Sequence, residues 1–428
     1  MISVRKIQTD LQSPLIIENM VTFNTPDMEA YTKLLTALVN EISITETQFE
    51  NLVKSYGAVG KYLEDDPRLD GYSPLVFPQG SLRLGTIIQP VGKDDDLDVD
   101  LVIRLTGKSP YWSQADLKRI IGDRLKSHGI YKDMLDEEGR RCWTLLYRQN
   151  SYSKSERYHM DILPSVSEAG YDRVLREVLS QAFSLEQAKR IAIRITDTKS
   201  ADYYTGQNIL TWHSSNPDAY AYWFADRCRT ARIIKEGRSI MASIMPIGKL
   251  AKEKSILQQV VQILKRHRDI MFRNDHDDKP ISIIITTLAG RAYQGEENLV
   301  QALCNVVNRM SQFIHKNAKN EYVVENPVNP EENFADKWPT HLKRQQNFFR
   351  WLEAVSNDLN EIFHSKGPRL RIKLGNAVGS DVAASVSKSF IDDHQSNIRD
   401  GIMKVAATGA LGTIGKTLDA SNCFFGEK

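Results

Sequence analysis

Asp98, Asp100 and Asp161 are the residues whose types and spacing could do chemistry. Asp98 and Asp100 open the run LDVDLVIRL (97–105), and because side chains alternate along a strand, both carboxylates point to one face while Val99 and Leu101 take the other. Asp161 lies in YHMDILPSV, an apolar strand closed by Pro164, where a carboxylate is costly to bury without a cation or hydrogen-bond donors. Should the two strands pair, all three carboxylates converge. Such a set suits Mg2+, which takes a few carboxylates plus substrate phosphates rather than an all-protein cage. Just upstream, Gln79-Gly80-Ser81 forms a turn whose backbone N–H groups and Ser81 hydroxyl can meet phosphate. Together these parts fit attack of a hydroxyl on the α-phosphorus of a nucleoside triphosphate. Two metal ions would activate the nucleophile and neutralise the leaving pyrophosphate. The run Asp94 to Asp100 also contains Asp96 and Asp98 at the same spacing. The apolar strand that follows favours Asp98/Asp100, with Asp96 as a supporting or solvated carboxylate.

The elements that must hold these residues are legible in outline. Thr25-Pro26 reads as a cap and first helical position for a helix to about Val39. Thr45 with Gln48 forms a capping box ahead of a stripe of Phe49, Leu52, Tyr56, Val59 and Leu63, a long spine helix that Asp65-Asp66-Pro67 ends. Strands are predicted at 75–77, 86–90, 97–105, 142–148 and 158–163, with a helix at 113–128 and a hairpin-like stretch at 149–157. Asn216-Pro217 starts a helix bearing Tyr220, Trp223 and Phe224, an aromatic group read as core. Met245-Pro246 and Gly248 read as a connection between lobes. Beyond Ser255 the spacing is helical: a helix with the basic cluster Lys265 to Arg268, then ISIIITTLAG after Pro280, a helix or buried strand that periodicity cannot decide. Further helices are expected at 298–316, 341–363 and 381–405, before a short tail, NCFFGEK.

Composition bounds the reading. A chain of 428 residues with 41% hydrophobic content can fill two lobes. Lys+Arg 56 against Asp+Glu 54 gives +2, which argues against a protein that coats nucleic acid and leaves recognition to local patches. Cys142, Cys228, Cys304 and Cys423 show no CxxC spacing, as expected of reduced thiols rather than a disulfide framework or zinc site. With no apolar leader and no bilayer-length run, the cytoplasm is the expected location.

FPQGSLRLGT, LDVDLVIRL and YHMDILP together resemble the nucleotidyltransferase core shared by DNA polymerase beta, 2′-5′ oligoadenylate synthetase and cyclic GMP-AMP synthase. Within that superfamily the chain is most similar to the bacterial cGAS/DncV-like nucleotidyltransferases (CD-NTases) of anti-phage signalling. SNPDAYAYWF, ILKRHRDIMF and NPVNPEENFADKW extend the likeness over most of residues 45 to 365. The resemblance implies a bilobed α/β fold: a polymerase-beta-like core, mixed sheet plus spine helices, over 1–250, a helical lobe over 251–368, and a C-terminal helix and tail over 369–428. It implies Asp98, Asp100 and Asp161 as ligands of two Mg2+ or Mn2+ ions, Gln79, Gly80 and Ser81 as the phosphate turn, Lys265 as a helix lysine reaching the triphosphate, and Ser282 as an accompanying hydroxyl. The implied activity is condensation of ribonucleoside triphosphates, ATP among them, into a cyclic oligonucleotide read by a downstream effector. Two other readings stay open: nucleotide addition to an RNA end, protein or small molecule, and a catalytically silent nucleotide sensor. Neither a membrane nor a strong nucleic-acid signal enters. Phe424-Phe425-Gly426 resembles the C-terminus that some relatives join to other molecules through ubiquitin-ligase-like partners.

Overall fold

The computed structural model describes residues 20–22, 28–92, 96–147, 157–180, 185–229 and 254–388, and the backbone of 404–405, 411–412 and 416–417. Helix α1 (Met28–Ile42) is followed by α2 (Glu46–Glu64). The Thr45–Gln48 capping box forms as predicted, each side chain taking the other residue's backbone N–H. Next come β1 (Leu75–Pro78), the single turn α3 (Gly80–Arg83), β2 (Leu97–Thr106), α4 (Gln114–Ser127), α5 (Gly129–Met134), β3 (Trp143–Tyr147) and β4 (Tyr158–Ser167). Helices α6 (Tyr171–Ser180) and α7 (Leu185–Arg190), strands β5 (Ile193–Ile195) and β6 (His213–Ser215), and α8 (Pro217–Arg227) complete the first part. The remainder is mostly helical: α9 (Ile256–Met271), α10 (Ser282–Ala292), α11 (Leu299–Arg309), α12 (Leu342–Phe363) and α13 (Gly367–Val378).

A mixed, six-stranded sheet runs β1-β2-β4-β5-β6, with β3 also against β4. Strands β2 and β4 are parallel from Leu97↔Tyr158 to Thr106↔Ser167. A parallel pair needs a long crossover, which α4, α5 and β3 supply. The other edge of β4 is shared, Tyr158 to Ile162 pairing with β3 and Ser165-Val166 with β5. Alternation along β2 divides its residues between two cores. Val99, Leu101 and Ile103 pack with Leu52, Val59 and Leu63 of α2 and Leu117 and Ile121 of α4. Val102, on the opposite face, joins a second core with Leu35, Leu38 and Ile42 of α1 and the apolar faces of α8 to α13. Asp98 and Asp100 share the face of Val102, so the carboxylates look toward the C-terminal helices.

Several expectations are corrected. Residues 86–90 form no strand. Carbonyls in and just before this stretch meet side chains instead: Gln258 Nε2 donates to Leu84 O at 2.9 Å, Lys265 Nζ to Thr86 O at 3.0 Å and Gln262 Nε2 to Ile87 O at 2.7 Å. Spacings of four and three residues put those three donors on one face of α9. ISIIITTLAG is helical as α10. The helix expected over 298–316 ends at Arg309, and a 3₁₀ turn (Met310–Phe313) and a short strand (His315–Lys316) follow. Residues 380–388 are helical, but Lys404–Val405 pairs in extended conformation with Leu411–Gly412 and Lys416–Thr417. Thr25-Pro26, the hairpin-like stretch apart from its last residue, the 245–248 connection and the tail with Cys423 lie outside the described residues. Among the described residues no helix is long and apolar enough to cross a membrane.

Candidate active site

Asp100 and Asp161 are register partners across the β2–β4 pair, and Asp98 lies two positions earlier on the same face of β2. Each offers a carboxylate oxygen within 4.8 Å of the others, the one such group of potential metal ligands among the described residues. The turn before α3 is bonded to this cluster, since Gln79 N–H donates to Asp100 O at 2.8 Å. Gly80 follows with φ +59, a left-handed conformation that glycine takes at no steric cost. Its missing side chain makes room for the Asp100 carboxylate. On β3, Thr144 stands opposite Asp161 and its hydroxyl donates to Asp161 Oδ1 at 2.5 Å.

Electrostatics follow from the crowding. Burial first, then the Asp98 and Asp161 charges, push the Asp100 carboxyl up to about 7, with Lys265 opposing. Burial and Asp98 also raise Asp161, against the lowering effect of the Thr144 hydrogen bond. A cation among the carboxylates would relieve the repulsion that raises Asp100 and Asp161. Hard oxygen donors from three carboxylates suit Mg2+ or Mn2+, so the residues present fit the metal that the sequence implies.

A cleft of about 610 Å³ opens beside the cluster, and Gly80, Ser81, Asp98, Asp100, Lys265 and Ser282 all line it. Lys265 is 5% exposed, and burial, then Arg268, bring its ammonium down to about 8. Ser282, the first residue of α10, accepts from Arg268 Nη1 at 2.8 Å; the same nitrogen donates to Pro280 O at 2.9 Å. Arg268 therefore fixes the Ser282 hydroxyl at the cleft wall. Asp96 lines the same cleft and is ion-paired with Arg157 Nε at 3.1 Å and His159 Nε2 at 2.9 Å. The clustered carboxylates are those of Asp98, Asp100 and Asp161.

Thr144, Gln258, Gln262 and Arg268 support the site without having been singled out individually in the sequence. Only Arg268 had a signal, its place in the basic cluster. Behind α3 lies another set. Arg83 at the end of that turn pairs with buried Asp218 of α8 at 2.5 Å, Arg104 of β2 approaches the same carboxylate at 3.8 Å, and the Tyr171 hydroxyl donates to it at 2.6 Å. Burial alone would raise the Asp218 carboxyl, but these partners hold it below the ordinary carboxylate range. The turn carrying Gly80 and Ser81 is thus anchored on its far side by a buried ion pair.

A mixed sheet presenting three clustered carboxylates beside a Gly-Ser turn defines a nucleotidyltransferase. Residues 74–164 match the family described as cyclic GMP-AMP synthase DncV-like, nucleotidyltransferase domain. The chain is 26% identical over 335 residues to a c-di-GMP synthase of Roseivirga ehrenbergii, covering 78% of this chain and 80% of that protein. It is 24% identical over 342 residues to the cyclic dinucleotide synthase CdnG of Bradyrhizobium diazoefficiens, covering 76% and 74%. The solved structure of that CD-NTase, CdnG in complex with GTP, aligns with a TM-score of 0.62 at 23% identity, over 85% of this chain and 99% of the other. Residues 74–164 thus match a DncV-like nucleotidyltransferase domain, and the chain as a whole is similar to CD-NTases.

Proposed function

We propose that the protein condenses ribonucleoside triphosphates into a cyclic di- or trinucleotide second messenger, releasing pyrophosphate with each bond formed. The observation that carries this reading is the gathering of Asp98, Asp100 and Asp161 beside the cleft that Gly80 and Ser81 line. In each step a ribose hydroxyl of one nucleotide attacks the α-phosphorus of another. A P–O bond forms, the bond from the α-phosphorus to the bridging oxygen of pyrophosphate breaks, and the hydroxyl proton leaves to solvent. Asp98, Asp100 and Asp161 would hold two Mg2+ or Mn2+ ions, which when bound lower the hydroxyl's pKa and neutralise the departing pyrophosphate. Gln79, Gly80 and Ser81 would orient the triphosphate, with Lys265 supplying positive charge from α9 and the Arg268–Ser282 pair flanking it.

Residues 1–250 would form the nucleotidyltransferase core, 251–368 the helical lobe that closes the cleft, and 369–428 a C-terminal extension. GTP is the first substrate to test, because one relative is a c-di-GMP synthase and the CdnG structure holds GTP. ATP is the second. The product would act on a downstream effector in the cytoplasm, in anti-phage signalling.

Purified protein with Mg2+ or Mn2+ and the four ribonucleotides should yield small phosphatase-resistant products that mass spectrometry assigns by base and ring size. The double variant Asp98→Asn, Asp100→Asn should yield none. Products that form only on added RNA, extended at its 3′ end, would overturn the reading.

A further inference from the structure

We propose that Thr144 is a positioning residue for the metal site: its hydroxyl fixes the Asp161 carboxylate so that the remaining oxygen valences face Asp98 and Asp100. This rests on reading the carboxylate cluster as a metal site. Thr144 and Asp161 are directly opposite across the antiparallel β3–β4 pair, and the hydroxyl meets Oδ1 at 2.5 Å. A carboxylate has two oxygens and about four acceptor positions, so one hydroxyl bond orients the group while leaving Oδ2 and part of Oδ1 available. Orientation matters here because Asp161 stands beside two other carboxylates. Without a donor on the β3 side, their repulsion would turn it away from the position from which it can share a cation.

Thr144 is well placed for that restraint. A β-branched side chain is stiff at χ1, so its hydroxyl has few directions to choose from. Its backbone is also held on both flanks, by β4 on one side and on the other by the Asp136 N–H donating to Thr144 O at 2.9 Å, next to the Leu135↔Leu145 bridge. Partners of this kind to metal-binding carboxylates typically change metal affinity by 10–100-fold when removed.

The test uses full-length protein and Mn2+ as probe. Binding is followed by electron paramagnetic resonance or titration calorimetry, with and without a non-hydrolysable GTP analogue. Thr144→Val, which keeps the branched shape but lacks the donor, should bind Mn2+ roughly 10–100-fold more weakly than wild type. Its thermal midpoint should stay close to wild type, and raising Mn2+ should restore turnover. Thr144→Ser should recover wild-type affinity to within about threefold, since the bond to Asp161 is retained. If Thr144→Val does not fold, Thr144→Ala carries the same comparison. Wild-type affinity in the donor-free variant, or no recovery in Thr144→Ser, would overturn the role of Thr144 while leaving the metal site standing. Absence of Mn2+ binding in wild type and Asp161→Asn alike would overturn the metal-site reading and the role of Thr144 with it.

Discussion

Asp100 sets its carboxylate against the bare Cα of Gly80, in the space that a Cβ would occupy. The left-handed backbone of Gly80, φ +59, compounds the constraint. An alanine there meets a steric cost of about 1–2 kcal/mol from the backbone alone, and its methyl must also displace Asp100 Oδ2. Gly80→Ala should therefore lower kcat at least about tenfold, with a thermal midpoint a few degrees below wild type. Steady-state kinetics and a melting curve on the same preparation check it.

Asp100 gives the metal-free protein a pH dependence of definite sign. Its folded-state carboxyl, near 7, lies above the ordinary value of 3.8, so between those limits the folded state binds more protons than the unfolded. Stability contributed by this group is full below the ordinary value and is lost as pH rises through the folded one. Thermal midpoints of metal-free protein should fall from pH 4 to 7 on this account. Asp100→Asn should flatten that decline, and Mg2+ should reverse it in wild type but not in the variant.

Lys265 predicts a different profile. Its ammonium loses a proton near pH 8, so free enzyme has less positive charge at pH 9 than at pH 7. The KM for nucleoside triphosphate should rise across that interval. Lys265→Arg, charged throughout, should show a flatter profile whatever its absolute KM. Lys265→Met should raise KM at pH 7 by about tenfold or more, as loss of a charge-assisted bond to phosphate. Initial rates at several pH values provide the check.

Removing Asp218 should cost stability more than chemistry. Its side chain is 4% exposed, and its loss would strip buried Arg83 of this ion pair while Arg104 keeps only Asp172. Asp218→Asn should destabilise by about 3–5 kcal/mol, visible as a lower urea midpoint at pH 7. Because the Asp218 carboxyl is depressed, its contribution is present above the ordinary carboxylate range and lost as pH falls through the folded value. The gap between variant and wild type should therefore narrow in acid.

The carboxylates were legible because their signal is local: an alternation of two along Asp98-Val99-Asp100 and a polar residue inside an apolar strand at Asp161. The Thr45 capping box was legible for the same reason. Asn216 was half legible; it caps α8 in position, but its side-chain amide donates to Ala188 O and makes no cap bond. Thr86-Ile87-Ile88 misled because apolar, β-branched residues read as strand. Whether they pair is decided by donors on α9, far along the chain. ISIIITTLAG carries the same composition yet is helical, with Ile284, Ile285, Leu288 and Ala289 all buried among neighbouring helices. Nothing local marks Thr144, whose importance exists only through its register with Asp161. The same holds for the ion pairs of Asp96 with Arg157 and His159.

The three side chains with which α9 holds Leu84, Thr86 and Ile87 set an order of assembly. Lys265 and Thr86 are 179 positions apart, whereas the β2–β4 pairing closes well before α9 is made. During synthesis from the N-terminus the sheet can bring the aspartates together while the carbonyls leading into them still face water. Closing the longer loop comes last and carries the larger entropic cost. A nascent chain released before α9 would lack the side chains that hold Leu84, Thr86 and Ile87, so the wall of the cleft takes shape only once the first of the C-terminal helices has been made.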